Sequence, residues 1–452
     1  MSFPRYPKYK PSGVEWLGDV PEHWVVKRLK QACHVFPSNV DKKCHDGETP
    51  VVLCNYTDVY YNEKITPAIE FMAATASTEQ IAKFTLRAGD TIITKDSETA
   101  DDIAVAAHVP EDLPGVVCGY HLSMVRPLPD VAGAFVTRLF GSVYAKSCFA
   151  VLANGLTRVG LGQYELDNVL LPFPPLAEQT KIAAFLDRET AKIDELVGEQ
   201  RRLIELLKEK RQAVISHAVT KGLNPHAPLK PSGIEWLGDV PEHWNVSRLK
   251  YATSRIVDCP HDTPTYSESG EYLAIRTSDV DDGKLLPEQM SRVEKEEYLH
   301  RIRREPLLQD DIVYSREGGR WGHAALVTEN DTFCLGQRMM QFRVNCLFDT
   351  RYLMRHLNTK NTYRQGEVDT VGAASPHVNV ETIRNYWIAN PPKTEQTQIA
   401  EYLVVETAKL DSLTAEAGRT IELLQERRTA LISAAVTGKI DVRGLGTQGA
   451  DS

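Results

Sequence analysis

Side chains suited to hydrogen bonding with DNA bases occur in short runs at matching places in the two halves of this chain. In the first half they are Lys95, Asp96, Ser97, Glu98, Tyr120, His121, Thr157 and Arg158. In the second half they are Arg316, Glu317, Arg320, Trp321, Gln337, Arg338, Ser375 and His377. Arginine pairs well with guanine, glutamine with adenine, and a carboxylate accepts a hydrogen bond from cytosine. We predict that these residues lie on loops and are candidates for hydrogen bonds to base edges; for each of them the alternative is an ordinary solvated loop side chain.

Basic residues elsewhere are candidates for contacts with DNA phosphates. They are Lys42, Lys43, Arg301, Arg303 and Arg304. A solvated face explains these five equally well. The formal net charge of −9 over 452 residues disfavours DNA binding by the isolated chain, because phosphate contacts require a basic surface. The objection is weaker if partner proteins supply much of the positive surface.

Motifs for catalysis or for holding a cofactor are missing from the sequence. The glycine-rich residues 318–322 lack the lysine and hydroxyl of a phosphate-binding loop. The N-P-P-K segment that ends at Lys393 resembles an adenine-methyltransferase motif, but lysine cannot stack on a flipped base, and we interpret the segment as a helix start. The eight cysteines form no C-x-x-C pair and have no zinc-site spacing. We therefore predict no catalytic residue, no metal and no cofactor bound by this chain.

A fifteen-residue element occurs twice. Residues 10–24 read KPSGVEWLGDVPEHW, and residues 230–244 differ from them at a single position. The tryptophans of the two copies are Trp16, Trp24, Trp236 and Trp244. They form either an exposed partner surface or domain core, and we favour core, with His23 and His243 in structural roles. The repeat distance of 231 − 11 = 220 residues is too long for a solenoid and indicates two domain-plus-helix modules in tandem.

A heptad pattern of apolar residues closes each module. It runs from Leu186 to Val214 in the first copy and from Leu403 to Leu431 in the second. Prolines precede each pattern and a glycine follows it, as is typical of helix starts and helix ends. We predict two helices of roughly 40 residues each, packed as an antiparallel coiled coil. The alternative is two independent amphipathic helices, each packed on its own domain.

These motifs together resemble one family. Each variable region opens with P-S-G-x-E-W-L-G-x-x-P-x-H-W and closes with P-P-x-x-E-Q and a long helix, and the order occurs twice between residue 10 and about residue 440. This arrangement resembles the specificity subunit of type I restriction–modification enzymes. The resemblance implies a non-catalytic subunit in which each target-recognition domain reads half of an interrupted DNA site. It also implies that the helix pair fixes the gap between the halves.

The resemblance further implies partners. Two methylation subunits that use S-adenosylmethionine are expected to dock on the helices, where Glu205 and Glu422 occupy matching exposed faces. Two motor–nuclease restriction subunits, which use ATP and Mg²⁺, are expected in the full complex. No apolar run is long enough for a membrane span and no signal peptide is evident, so we expect a cytoplasmic protein.

The predicted fold is mixed α/β with pseudo-two-fold symmetry. Target-recognition domains at 1–175 and 223–392 are separated by spacer helices at 176–222 and 393–440, and a flexible tail covers 441–452. Because the modules differ where DNA would be read, we expect an asymmetric bipartite site on double-stranded DNA. Two other functions remain open: a stand-alone or fused adenine-N6 DNA methyltransferase, and a scaffold or decoy that binds methylation subunits without reading DNA.

Overall fold

The computed structural model describes residues 3–368 and 377–445 and divides into two compact units. Unit 1 comprises residues 1–201 and 419–452, and unit 2 comprises residues 202–418. The division cuts both long helices, so each helix contributes residues to both units.

Unit 1 is built from short strands and helices that precede the first long helix. Its strands are β1 (Tyr9–Pro11), β2 (Asp19–Pro21), β3 (Val25–Arg28), β4 (Cys33–Pro37), β5 (Thr49–Cys54), β6 (Met72–Ala76), β7 (Thr85–Leu86), β8 (Thr91–Thr94), β9 (Asp96–Ser97), β10 (Ala106–His108), β11 (Leu113–Cys118), β12 (Leu122–Pro127), β13 (Val159–Gly160) and β14 (Leu170–Phe173). Its helices are α1 (Tyr56–Tyr60), α2 (Thr78–Phe84), α3 (Gly133–Phe140), α4 (Val143–Leu152), α5 (Gln163–Asn168) and the first part of α6 (Leu176–Lys221).

Unit 2 repeats this plan with fewer strands. Its strands are β15 (Leu229–Pro231), β16 (Asp239–Pro241), β17 (Asn245–Arg248), β18 (Thr253–Asp258), β19 (Tyr272–Ile275), β20 (Val280–Asp281), β21 (Lys284–Leu285), β22 (Ser291–Val293), β23 (Ile312–Ser315), β24 (Ala324–Leu326), β25 (Phe333–Leu335), β26 (Met339–Val344) and β27 (Trp387–Asn390). Its helices are α7 (Leu249–Ala252), α8 (Lys295–Arg301), α9 (Thr350–Leu357), α10 (Lys360–Glu367), α11 (Val380–Arg384) and the first part of α12 (Lys393–Val436).

The two main sheets of each unit have corresponding topologies, although the second sheet has four strands in unit 1 and three in unit 2. A four-stranded antiparallel sheet has the order β4-β12-β8-β10 in unit 1 and β18-β26-β23-β24 in unit 2. A second sheet contains the parallel pair β5 and β11 in unit 1 and the parallel pair β19 and β25 in unit 2. The central strand β8 is a run of β-branched residues whose side chains are all buried, as expected of a strand covered on both faces. The predicted mixed α/β class with two similar domains is confirmed.

A glutamate at the start of each long helix, buried in unit 1 and half-buried in unit 2, explains why the two repeated motifs occur together. In unit 1, Glu178 accepts hydrogen bonds from Trp24 Nε1 at 2.9 Å and pairs with His23 Nε2 at 2.8 Å. In unit 2, Glu395 binds Trp244 and its neighbouring histidine in the same way, at 3.0 and 2.9 Å. The H-W end of the fifteen-residue element is therefore held by the E-Q motif of the helix, and the predicted structural role of the two histidines fits these contacts.

The tryptophan prediction was correct for one of the two positions in each element. Trp24 and Trp244 are fully buried, as predicted. Trp16 is 60% exposed and Trp236 is only half-buried, so core was the wrong interpretation for Trp16. The sequence alone did not separate these positions because both tryptophans stand in the same repeated element.

The helix patterns predicted the long helices well. Gly222 and Gly438 follow them with φ of +76° and +77°, the left-handed conformation of a C-terminal glycine. One of the two interleaved rows of the predicted heptad seam is largely buried, whereas Leu196, Leu203 and Leu413 of the other row are exposed. The buried residues are Leu186, Ile193, Leu207, Leu403, Leu410, Ala417 and Leu431; Leu206 and Leu423, on a neighbouring face, are also exposed. The antiparallel coiled coil stays a prediction.

The end of the described chain packs on unit 1. The Asp441 N–H donates to the carbonyl of Pro4 at 2.8 Å, and Val442 is buried. The first residues of the predicted flexible tail are therefore ordered, and residues 446–452 lie outside the described part. No single helix within residues 3–368 and 377–445 is long and apolar enough to cross a membrane; α3 and α4 meet the length and composition criteria only as a pair bent by 68°.

Candidate DNA interface

The three predicted loops of unit 1 come together at one end of β8. The Lys95 N–H donates to the His121 carbonyl at 3.1 Å, and the Leu161 N–H donates to the Lys95 carbonyl at 2.9 Å. Strand β9, which holds Asp96 and Ser97, pairs with β13 next to Arg158. We call these three segments the unit 1 loop cluster: residues 95–98, 119–121 and 154–162.

Asp96 is the electrostatic centre of this cluster. Its carboxylate lies 2.7 Å from His121 Nδ1 and 3.6 Å from Arg158 Nε. Lys95 Nζ lies 4.6 Å from the centre of the Tyr120 ring, a cation–π distance. Donors and acceptors of both kinds therefore converge on one surface, which is the requirement for hydrogen-bond readout of base edges.

Exposure divides the predicted unit 1 residues into those that face solvent and those that do not. Glu98, Tyr120, Thr157 and Arg158 are exposed, and Lys95, Asp96 and His121 are half-buried. Ser97 is buried at 3% exposure, so its side chain shapes the loop rather than projecting from it.

The two predicted phosphate-contact lysines lie on a segment beside the cluster. Val40 forms a bridge with Gly119, and Lys95 Nζ donates to the Ser38 carbonyl at 3.4 Å. Lys42 and Lys43 follow directly and are both exposed. Their position beside the loop cluster suits contacts with the phosphates that flank a base being read.

Glycine is required where the central loop of each cluster begins. A Cβ on Gly119 would lie 2.7 Å from the Cys54 carbonyl oxygen, and one on Gly336 would lie 2.5 Å from the Ile275 carbonyl oxygen. The backbone of this loop therefore packs directly on the neighbouring parallel strand in both units. This close approach fixes the position of the two residues that follow the glycine.

Unit 2 builds the same cluster with other side chains. The Arg316 N–H donates to the Arg338 carbonyl at 3.1 Å, the Val378 N–H donates to the Arg316 carbonyl at 3.1 Å, and Glu317 forms a strand bridge with His377. We call residues 315–321, 336–338 and 377–378 the unit 2 loop cluster. Ser375, which we predicted to belong to it, lies outside the described residues.

Glu317 takes the place of Asp96 in unit 2. Its carboxylate lies 2.7 Å from Arg316 Nη2 and 4.0 Å from Arg338 Nε. Arg338 is exposed and has φ of +74°, a left-handed conformation that costs an arginine of order 1–2 kcal/mol. Such strain is found most often at sites of function.

Three of the predicted unit 2 residues are buried. Arg316 is held by Asp258 at 3.0 Å, and Trp321 stacks on Tyr363 with ring centres 4.0 Å apart. The guanidinium of Arg301 is fully buried between Glu297 at 2.6 Å and Asp262 at 3.0 Å. In this structure these side chains hold the loops in place and do not face solvent. Arg303, Arg304, Arg320 and His377 are exposed, and Gln337 is half-buried.

The sequence reasoning missed a group of tyrosines beside the unit 1 cluster. Tyr56 and Tyr60 on α1 stack with ring centres 5.6 Å apart, and Tyr61 is 77% exposed. Tyr60 Oη donates to Asp102 at 2.7 Å, and this hydrogen bond raises the pKa of Tyr60 to about 12. The sequence Y-T-D-V-Y-Y at residues 56–61 could have indicated this group, since exposed aromatic rings are common where proteins contact bases.

The predicted docking residues lie on solvent-facing positions of the long helices. Glu205 and Glu422 are exposed, and Glu205 pairs with Lys208 at 2.9 Å. Within residues 3–368 and 377–445, no group of three or more His, Cys, Asp or Glu side chains has the arrangement of a metal site. The chemistry the described surface offers is recognition through hydrogen bonds and charge.

Comparison with known proteins identifies the family. The model of the type I restriction modification DNA specificity domain matches residues 21–206 and 258–423. The putative type I restriction enzyme MjaX specificity subunit of Methanocaldococcus jannaschii is 23% identical over 440 residues, which cover 94% of this chain and 96% of that protein. The type I restriction enzyme EcoKI specificity subunit of Escherichia coli is 24% identical over 51% of this chain and 47% of its own length.

Solved structures share the fold. A chain from a structure of type I restriction–modification complex assembly and conformational transition has a TM-score of 0.71 at 18% identity, covering 93% of this chain and 99% of that chain. The HsdS subunit of Thermoanaerobacter tengcongensis has a TM-score of 0.53 at 18% identity, covering 93% and 98%. The matched domain occurs twice and spans most of the sequence, and the repeated element, the long helices and the paired loop clusters all agree with it. This chain therefore belongs to the type I restriction–modification specificity subunits, the DNA-specificity component of such systems and not an enzyme in its own right.

Proposed function

We propose that this chain reads an asymmetric, interrupted DNA site, with one half recognised by each loop cluster. The observation that supports this most directly is the pair Asp96 and Glu317. They occupy the same place in two clusters of the same backbone arrangement, but Asp96 faces His121 whereas Glu317 faces Arg338. Equivalent scaffolds with different donors are expected to select different bases.

The chemistry of unit 2 favours guanine in its half-site. Arg338 is exposed, projects from a backbone held by the close packing of Gly336, and needs only to leave a 4.0 Å contact with Glu317 to reach a base. Arginine bound to guanine O6 and N7 is the commonest specific contact in DNA recognition. In unit 1 the central candidates are Tyr120 and His121. Their phenol and imidazole groups can each donate or accept a hydrogen bond, whereas the arginine of unit 2 can only donate.

The long helices would fix the number of base pairs between the half-sites. Each is one uninterrupted helix of 46 or 44 residues that contributes to both units. Insertion of one heptad into both helices, about 10 Å of added length, should therefore lengthen the preferred gap without changing either half-site.

Exposed leucines on the helices support docking of two equal partner proteins. Leu196 and Leu413 are equivalent exposed positions, as are Leu206 and Leu423, which stand beside Glu205 and Glu422. We assign these faces to two methylation subunits, which would supply S-adenosylmethionine chemistry. Two motor–nuclease subunits using ATP and Mg²⁺ would complete a restriction complex in the cytoplasm.

The test is methylation of randomised DNA by the complex of this chain with the methylation subunit from the same locus. We expect sequencing of methylated molecules to give two unequal half-sites separated by a fixed gap. Arg338→Ala should relax the preference at one or two positions in one half only, each by about 1–3 kcal/mol of discrimination. His121→Ala should act on the other half only.

Three results would contradict the proposal. A palindromic or uninterrupted site would remove the link between the unequal clusters and unequal half-sites. Methylation without sequence preference would favour the scaffold function. Binding of S-adenosylmethionine by the purified chain alone would favour the methyltransferase alternative.

A further inference from the structure

The two copies of the fifteen-residue element present the same three exposed acidic side chains and the same tryptophan, which is exposed in unit 1 and half-buried in unit 2. In unit 1 these are Glu15, Trp16, Asp19 and Glu22, and in unit 2 they are Glu235, Trp236, Asp239 and Glu242. Trp16 is 60% exposed, and all six acidic residues are exposed. None of the six takes part in an ion pair among the residues that the structure describes.

Folding accounts for other residues of the element but not for these. Leu17 and Trp24 are core residues, and Gly13 and Gly18 adopt left-handed conformations that the turns require. The acidic side chains of the element are exposed and form no ion pair among the described residues, and neither Trp16 nor Trp236 is a core residue. Their identity in the two copies therefore requires a reason outside the fold of the unit.

Recent duplication is not that reason, because several positions just beyond the element differ between the two copies. Val25 and Lys27 correspond to Asn245 and Ser247. Exposed positions of the long helices also differ, with Arg188 in one and Val405 in the other. Within the element every exposed position is identical, whereas exposed positions outside it are matched only in places, as expected if both copies of the element bind the same thing.

Each of these two tryptophans borders an open groove against the end of a long helix. In unit 1 the groove lies between Trp16, Val143 of α4, Ser433 of α12, and Thr437 directly after α12. In unit 2 the equivalent groove lies between Trp236, Asn361 of α10, and Ser216 and Thr220 of α6. The tryptophan and the serine–threonine wall are the same in both, whereas the other lining residues differ, with Lys439 in unit 1 and His217, Lys221 and Arg364 in unit 2.

We propose that these two grooves bind one and the same segment of a protein partner that is present in two copies. The segment would place an apolar side chain against the tryptophan and lysine or arginine residues beside the three acids. A DNA ligand is disfavoured at this face because the acids repel phosphates. The proposal rests on the proposed docking of two methylation subunits, and it assigns to each subunit a second contact, separate from the leucine faces of the helices.

The experiment measures how many methylation subunits from the same locus bind the full-length chain, and how tightly, by native mass spectrometry and sedimentation titration. The wild-type chain should bind two. Trp16→Ala and Trp236→Ala should each keep one subunit at wild-type affinity and weaken the other at least tenfold, and the double variant should weaken both. Tyr251→Ala removes an equally exposed aromatic side chain (64% exposed) that is not repeated, and should change nothing.

The remaining outcomes separate the two proposals. If the wild-type chain binds two subunits and the double variant binds them equally well, this inference is overturned while docking stands. If the wild-type chain binds none, the docking proposal fails and this inference fails with it. A self-association of the chain that the double variant abolishes would also overturn the inference, since the occupant would then be a second copy. Should a tryptophan variant misfold, Glu15→Lys with Asp19→Lys tests the same face and should weaken one subunit at least tenfold.

Discussion

An arginine of each long helix joins the variable part of its unit to the other long helix, and the two units do this in nearly the same way. In unit 1, Arg428 pairs with Asp194 at 2.9 Å and with Glu63. In unit 2, Arg211 pairs with Asp411 at 2.9 Å and with Asp282. The two arginines are 428 − 211 = 217 positions apart, the same offset as 411 − 194 = 217 between their helix partners. The arginine and its carboxylate partner on the other helix thus stand at equivalent positions in the two units, and an acidic residue of the variable domain completes each contact.

The second arginine of this network shows where the units differ. In unit 1, Arg138 is held by Asp187 at 2.7 Å and Glu63 at 3.0 Å. Its equivalent in unit 2, Arg355, has Val404 where Asp187 would stand, and its Nη1 has no hydrogen-bond partner. Burial accordingly lowers the pKa of Arg355. Unit 2 thus retains the arginine but lacks the helix carboxylate that pairs with it in unit 1.

The largest effect we expect comes from a buried ion pair that both units share. Asp90 pairs with Arg126 at 2.7 Å, and Asp311 pairs with Arg343 at 2.8 Å. Asp90→Ala should destabilise unit 1 by about 3–5 kcal/mol, because it leaves a partly buried cation unpaired. Asp311→Ala should cost less, because Arg343 keeps its contact with Glu305. Hydrogen exchange followed by mass spectrometry reports each unit separately, and equal losses would show that Glu305 does not compensate.

Exchanging the residues at the position where the units differ should have opposite effects. Asp187→Val should destabilise unit 1 by about 1.5 kcal/mol, since a hydrogen bond to a charged group is lost while Glu63 remains. Val404→Asp should stabilise unit 2 by about 1 kcal/mol, because it supplies a carboxylate one turn before Thr407, whose Oγ1 lies 3.5 Å from Arg355. Val405→Asp, on the exposed face beside it, is the control for added charge alone. A destabilised unit 2 in Val404→Asp would mean that Arg355 does not need a carboxylate there.

Much of this comparison was available from the sequence. The repeat, the two long helices and the correspondence of the loops between the modules follow from local patterns, since heptads, turn residues and strands are set by nearby residues. That the three loops of a unit meet was not predicted, because it depends on tertiary packing. The burial of Arg301 and Arg316 was not predictable, because it depends on Asp262 and Asp258, which stand 39 and 58 positions away. Likewise, nothing local distinguishes the exposed Trp16 from the buried Trp24. Exposure is a property of tertiary packing, so sequence identified the loops but not which side chains project from them.

Acid pH should lower the stability of unit 1 through Asp187, which has no carboxylate equivalent in unit 2. Burial raises the pKa of Asp187, but hydrogen bonds and charges from Arg138 and Lys64 outweigh it, so the pKa is lowered overall. A lowered carboxyl pKa contributes stability that is complete above the ordinary value of 3.8 and is lost as the pH falls through the lowered value. We expect Asp187→Asn to make the acid-induced loss of stability of unit 1 shallower below about pH 4 and to leave unit 2 unchanged. An unaltered acid profile in urea unfolding monitored by hydrogen exchange would contradict the assignment.

The smallest effect concerns the turn that leads into the central strand of each unit. Gly89 and Asp310 occupy equivalent positions before β8 and β23, with φ of +91° and +68°. The glycine adopts this left-handed conformation without strain, whereas the exposed aspartate pays about 1 kcal/mol for it. Asp310→Gly should therefore stabilise unit 2, although the greater freedom of glycine in the unfolded chain offsets about half of the gain. We expect a net increase of about 0.5 kcal/mol in the unfolding free energy of unit 2, measured by denaturant titration. Asp310→Ala, which keeps the strain without the carboxylate, should give no increase; an equal gain in both variants would show that the charge, and not the backbone conformation, was the cost.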